Sequence, residues 1–147
     1  GTIRISSAGA SNSPVTVTVN LVVSEPPTFN VSPGLLTFNY QVGAAAPAEQ
    51  TLDVVATKTD LPFTVSSSTA SGGNWLSVSP TAWPTTPSKL SVRVTPGTLA
   101  AGTYNGTITV SMPGASNTPQ TVAVTLVIAA SPVIRFTSMG MLLALAR

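Results

Sequence analysis

The chain has no histidine and no cysteine among its 147 residues. Neither a Ser–His nor a Cys–His catalytic pair can form, and a metal site built on imidazole or thiolate has no ligands. Charge is scarce as well: Asp, Glu, Lys and Arg together make up 7% of the chain. The acidic side chains are Glu25, Glu49, Asp53 and Asp60. A glycosidase needs two carboxyls roughly 5–10 Å apart. Asp53 and Asp60 sit on neighbouring strands or the turn between them, and solvated edge and loop charges explain them better. Calcium takes about six to eight oxygens, commonly with several carboxylates, and no Asp-x-Asp cluster occurs. The expectation is a non-enzyme with no catalytic residues, no metal and no cofactor. Arg4, Lys58, Lys89, Arg93, Arg135 and Arg147 are scattered. They form no basic stripe to track a phosphate backbone, so no nucleic-acid partner is expected. The apolar patch at residues 139–146 falls short of the ~18 residues that cross a bilayer, so no membrane span is expected within this sequence.

What is present is a repeat. Residues 1–27 align without a gap on residues 106–132, an offset of 105, with fifteen of the 27 positions identical. The identities include Gly9-Ala10-Ser11-Asn12 against Gly114-Ala115-Ser116-Asn117. An offset of that size is the length of a domain rather than of a solenoid unit. The expected layout is the C-terminal hairpin of a preceding repeat at 1–23, a Pro-rich linker at 24–33, one complete module at 34–130, and a stub at 131–147. For the stub we prefer a cloning or gene-calling artefact over a truncated anchor or an amphipathic tail, because the repeat match stops at Pro132. With 43% apolar residues and little charge, the chain has the opposite balance to a disordered one.

Alternation with a period of two dominates the module, with turn residues every 8–12 positions. Strands are expected near 34–40, 50–57, 61–67, 74–79, 89–95, 102–111 and 119–129. In the last, Val122, Val124, Leu126 and Ile128 share one face while Thr121, Ala123 and Thr125 share the other. Strands with one apolar and one Ser/Thr face fit antiparallel sheets packed face to face. The predicted fold is therefore all-β: an immunoglobulin-like antiparallel β-sandwich of about seven strands, preceded by a two-strand remnant. Tyr104, at the start of the penultimate strand, is expected to form a tyrosine corner, its hydroxyl bonded back to the backbone. Pro26-Pro27 makes the linker semi-rigid. Pro47, Pro62 and Pro119 are expected to guard sheet edges.

The segments Leu36-Thr37-Phe38, Asn74-Trp75-Leu76-Ser77-Val78-Ser79-Pro80, Leu90-Ser91-Val92-Arg93-Val94 and 101–110 (Ala-Gly-Thr-Tyr-Asn-Gly-Thr-Ile-Thr-Val) resemble a BACON-type module, named for "Bacteroidetes-associated carbohydrate-binding often N-terminal". The resemblance covers roughly residues 30–130, and Trp75 to Pro80 is its most telling part. Two departures stand out: Leu61-Pro62-Phe63 where the family often opens the strand with an aromatic residue, and Ala82-Trp83-Pro84 where Ser-Gly is expected. The resemblance implies an immunoglobulin-like sandwich in a secreted or surface-attached bacterial protein, exported by a signal outside this sequence. Absence of cysteine is compatible with that setting. It also implies a carbohydrate-binding role for the family by association with glycan-degrading partners.

Two functions follow as expectations. The preferred one is a structural spacer or adhesion stalk whose partners are neighbouring repeats in the same chain. The alternative is a carbohydrate-binding module in which Trp75 and Trp83 stack sugar rings with Asn74 as polar partner. Against that platform stands a core reading, in which Trp75 caps the open end of the sandwich and Trp83 folds under its loop. Small cores seldom leave two large aromatics outside, which favours the core reading. Leu76 and Val78 are structural on either account.

Overall fold

The computed structural model of the protein describes residues 1–134, and ten strands and no helix occur among them. In chain order these are β1 (Thr2–Ile5), β2 (Val15–Thr18), β3 (Phe29–Ser32), β4 (Leu35–Gln41), β5 (Gln50–Ala56), β6 (Thr64–Thr69), β7 (Leu76–Ser79), β8 (Ser88–Val94), β9 (Gly102–Ser111) and β10 (Gln120–Ala129). Two four-stranded sheets, in the orders β3-β5-β8-β7 and β4-β10-β9-β6, face each other, and β1 and β2 pair only with one another. The patch at 139–146, like everything beyond residue 134, lies outside the described residues.

The sandwich follows from the alternation. Leu52 and Val54 on β5 and Leu90, Val92 and Val94 on β8 are buried against Ile108 and Val110 on β9 and Val122, Val124, Leu126 and Ile128 on β10. Each such side chain contributes about 1.5–3 kcal/mol by leaving water. Phe38 and Phe63 fill the largest interior volumes. No charged residue occurs on β4, β6, β9 or β10. The strand-borne charges of the module, Asp53, Lys89 and Arg93, all belong to β5 and β8 of the other sheet.

Three differences from the expected strands have local causes. Residues 29–32, placed in the linker by the prolines that flank them, form β3: Phe29 and Val31 are buried, and β3 pairs antiparallel with β5 from Phe29–Ala56 to Ser32–Asp53. Strand β6 starts at Thr64 rather than residue 61, because Pro62 bridges to Thr85 and the Phe63 N–H donates to Pro84 O (3.0 Å). Strand β7 starts at Leu76 rather than residue 74, because the Trp75 N–H turns back to Gly73 O (3.1 Å). The sandwich is antiparallel except for one pair. The chain crosses between sheets from β3 to β4 without reversing, so β4 lies parallel to β10, Leu35–Gln41 against Ala123–Ala129.

This topology gives the module two distinct ends. The chain enters at the proximal end, where the β5–β6, β7–β8 and β9–β10 loops cluster, and it leaves at the distal end after Ala129. The Asn117 side chain grips the entering strand: the Phe29 N–H donates to Asn117 Oδ1 (3.1 Å) and Asn117 Nδ2 donates to Phe29 O (2.7 Å). Beside it, the Ser116 N–H donates to Pro27 O (3.0 Å).

The hairpin β1–β2 reproduces β9–β10 residue for residue. Thr2–Thr18, Ile3–Val17, Arg4–Thr16 and Ile5–Val15 are paired, and the positions 105 residues on are paired as Thr107–Ala123, Ile108–Val122, Thr109–Thr121 and Val110–Gln120. The turns match too: the Ser7 N–H meets Ser13 Oγ and the Met112 N–H meets Thr118 Oγ1, each at 2.9 Å. Gly9 and Gly114 both take positive φ, at 89° and 81°. Strand β2 stops where its partner does, with the Val19 N–H bonded to Gly1 O (2.8 Å). Burial is what differs: Leu21 is 85% exposed, whereas its counterpart Leu126 is fully buried.

Candidate functional site

The two tryptophans sit at opposite ends of β7 and do not form one platform. Trp75 is 2% exposed, with its Nε1–H donating to Ser71 O (2.9 Å). Its ring lies over Gly106 on β9. A Cβ added there would stand 2.8 Å from Leu76 Cδ2, 3.0 Å from Ser68 O and 3.2 Å from Trp75 Cη2. Trp75 therefore plugs the distal end of the core, as the core reading expects, and has no face for a sugar. Asn74 is exposed beside it. Leu76 and Val78 are buried in the core. Tyr104 makes the expected corner: its hydroxyl donates to Ala100 O (3.1 Å), four residues upstream. The ring fills the space over Gly72, whose φ is +80° and where a Cβ would come within 2.9 Å of it.

Trp83 departs from the core reading. It does not fold under its loop; it is 77% exposed at the proximal end, on a backbone with φ of 45°. A bulky residue in the left-handed region costs about 1–2 kcal/mol, so the surrounding structure has to hold it there. The β5–β6 and β7–β8 loops do so by zipping together. The Asp60 N–H donates to Thr86 O (2.7 Å) and the Thr86 N–H to Leu61 O (3.0 Å). The buried Thr86 hydroxyl donates to Lys58 O (3.1 Å) and accepts from the Leu61 N–H (3.3 Å). Thr86 had no distinguishing signal in the sequence beyond its place in a Pro-rich turn.

A second feature, on the outer face of the β3-β5-β8-β7 sheet, was not foreseen. A shallow depression of about 370 Å³ is lined by Glu49, Ser77, Val78, Ser79, Ser91 and Arg93. Arg93 donates through Nε (2.8 Å) and Nη2 to Glu49 Oε1, and the Ser91 hydroxyl donates to Glu49 Oε2. The Ser91 hydrogen bond, followed by the Arg93 hydrogen bonds and charge, holds the Glu49 carboxyl below the usual carboxylate range. Asp53 faces Lys89 across the same pair of strands (2.5 Å). Among the described residues no group of three His, Cys, Asp or Glu gathers that could hold a metal ion. The depression is open, and its carboxylate is paired with the Arg93 guanidinium.

No family model matches the chain, and no curated protein matches it. Solved structures do share its fold. A GH5 xyloglucanase from Bacteroides ovatus, determined with a XXXG heptasaccharide, is 18% identical over 73% of this chain and 20% of its own length, with a TM-score of 0.50. The periplasmic chaperone SfaE is 12% identical over 73% of this chain and 60% of its own, also at 0.50. The CooA pilin subunit of enterotoxigenic Escherichia coli is 15% identical over 71% of this chain and 99% of its own, at 0.46. The chain thus spans a fifth of the xyloglucanase and under two thirds of the chaperone. At such identities the likeness is one of fold, an immunoglobulin-like sandwich.

Proposed function

We propose that this chain is a segment of a tandem array of non-catalytic modules, a structural spacer or adhesion stalk in an exported bacterial protein. The observation that carries this reading is the hairpin β1–β2, which repeats the register, turn and glycine geometry of β9–β10. Residues 1–24 are then the last two strands of a preceding BACON-like copy, and neighbouring repeats are the partners. The path of the chain supports the same reading. It enters at one end of the sandwich and leaves at the other, so successive modules extend rather than fold back. If Ser24 stands where Ala129 ends β10, Glu25 to Thr28 alone separate one sandwich from the next. That link spans at most about 17 Å, and Pro26-Pro27 stiffens it.

Trp83 favours a second reading, carbohydrate binding, in a reduced form: one exposed ring on a rigid support, without Trp75. A glycan array probed with the full chain and with Trp83→Ala separates the two. The stalk reading expects no glycan retained by either protein. Binding by the parent chain that is lost in a folded Trp83→Ala variant would make this a carbohydrate module instead.

A further inference from the structure

A stalk carries load along its length, and the connectivity here dictates how this module meets load. We propose that the parallel β4–β10 pair is a shear clamp that makes the module resistant to force applied through its termini. This deepens the stalk reading, though the clamp itself rests on sheet geometry alone.

Tension drawn in through β3 pulls the N-terminal side of the module toward the proximal end, and tension drawn out through β10 pulls toward the distal end. Strand β4 is the first strand of its sheet in sequence, and β10 is both the last and its immediate neighbour. Because the two are parallel, opposed forces slide them past each other along their common axis. The ladder from Leu35–Ala123 to Gln41–Ala129 is then strained all at once. The Ala123 N–H to Gly34 O bond (3.1 Å) closes the ladder at one margin, and the Val42 N–H to Ala129 O bond (3.0 Å) closes it at the other. An antiparallel pair pulled apart from one end opens differently. Its bonds lie across the strands and break one after another from the loaded end. Strand β3 is loaded along its axis in the same sense, but it offers only four residue pairs with β5, so the seven-residue β4–β10 ladder is the stronger element.

The chain also offers a substitution that separates the clamp from overall stability. Val42 and Gly43 are the central residues of a turn closed by the Ala44 N–H to Gln41 O bond (2.9 Å), and Gly43 has a φ of 88°. Proline fits the first central position of such a turn. Val42→Pro removes one donor from the clamp, while proline's stiffening of the unfolded chain offsets part of the lost bond.

The test is single-molecule force spectroscopy on the full chain, with handles on introduced cysteines, which are unique because the chain has none. Handles at Ser24→Cys and Ser131→Cys load the module through its termini. Handles at Lys58→Cys and Pro113→Cys, both in proximal loops, peel β6 from β9. Forced unfolding follows the barrier along the pulled direction. The clamp predicts a rupture force for the terminal geometry roughly twofold or more above the loop geometry. It also predicts that Val42→Pro lowers the first and leaves the second unchanged. Equal forces in the two geometries overturn the proposal, as does a Val42→Pro variant that weakens both alike. Either result leaves a passive spacer standing, because the stalk reading is tested separately by the glycan array.

Discussion

The two tryptophans invite opposite outcomes from the same substitution. Trp75→Ala removes a 2%-exposed indole that plugs the distal core and contacts the bare backbone at Gly106. Truncating a buried Trp costs about 3–5 kcal/mol, because the cavity left behind collapses only in part. A domain of this size holds about 5–15 kcal/mol in all, so the loss is a large share of the total. For a module near a hundred residues it corresponds to a fall in Tm of at least about 12 °C. Trp83→Ala takes away a ring that is 77% in water, and surface changes of that kind stay within about 0.5 kcal/mol. Trp83→Gly should be neutral or stabilising by up to about 1 kcal/mol, since relief of the left-handed backbone outweighs glycine's added freedom in the unfolded chain. Urea denaturation followed by far-ultraviolet circular dichroism reads all three without relying on tryptophan. Trp83→Ala also leaves Trp75 as the sole emitter, with the blue-shifted fluorescence of a buried indole. If Trp75→Ala unfolds within 1 kcal/mol of the parent (about the accuracy of the extrapolation), or Trp83→Ala is as damaging, the packing account is wrong.

Three further outcomes can be checked in the same chain. Gly106→Ala should destabilise by about 1–3 kcal/mol, because its Cβ meets Ser68 O, a backbone atom that cannot swing away; a gain in the urea midpoint would count against the close approach. Tyr104→Phe removes the hydrogen bond to Ala100 O and should lower stability by about 0.5–1.5 kcal/mol, so an unchanged midpoint would empty the corner of its role. Glu49 has its carboxyl held below the usual range by Ser91 and Arg93. A depressed folded pKa stabilises above the unfolded value and ceases to do so as pH falls through the folded one. Glu49→Gln should therefore lose less stability than the parent as pH falls through and below the ordinary glutamate range, and parallel pH profiles would contradict this.

What the sequence made legible was periodic. Val122 to Ile128 and Leu90 to Val94 alternate over enough positions to mark strand, face and core together, and burial follows that pattern. Strand β3 escaped because Phe29-Asn30-Val31-Ser32 has only two apolar positions and is hemmed in by Pro26, Pro27 and Pro33. Proline reads as linker, although proline at a strand's margin removes no ladder bond. Trp75 is buried although it neighbours the inward-facing Leu76, because alternation holds only where the backbone is extended, and the turn at Gly73 ends it. The Glu49–Arg93–Ser91 contact depends on the cross-strand register of β5 and β8, which neither strand specifies alone. The repeated Gly-Ala-Ser-Asn run was plain as repetition; only the fold shows that Asn117 is the residue gripping Phe29.

Two hairpins of one register in one chain raise the question of what keeps β1–β2 from taking the place of β9–β10 against β3 to β8. Ile3, Ile5, Val17 and Val19 would match Ile108, Val110, Val122 and Val124 in position and chemistry. One difference decides against it. Ser7 aligns with Met112, which is fully buried. Replacing that side chain by a hydroxyl forfeits about 2–5 kcal/mol of packing. Leaving the hydroxyl unpaired costs about 1–3 kcal/mol more. Together these consume a large share of a typical domain's stability, so the hairpin fits a sandwich that accommodates Ser7 and not this one. A chain stopped after Ser111, which keeps β1–β2 but lacks β10, should therefore be unfolded by circular dichroism and exchange its amides freely. Native sheet content and slowed exchange at Val17 and Val19 in that chain would mean that the rival hairpin can complete the module, and that Ser7 does not discriminate between repeats.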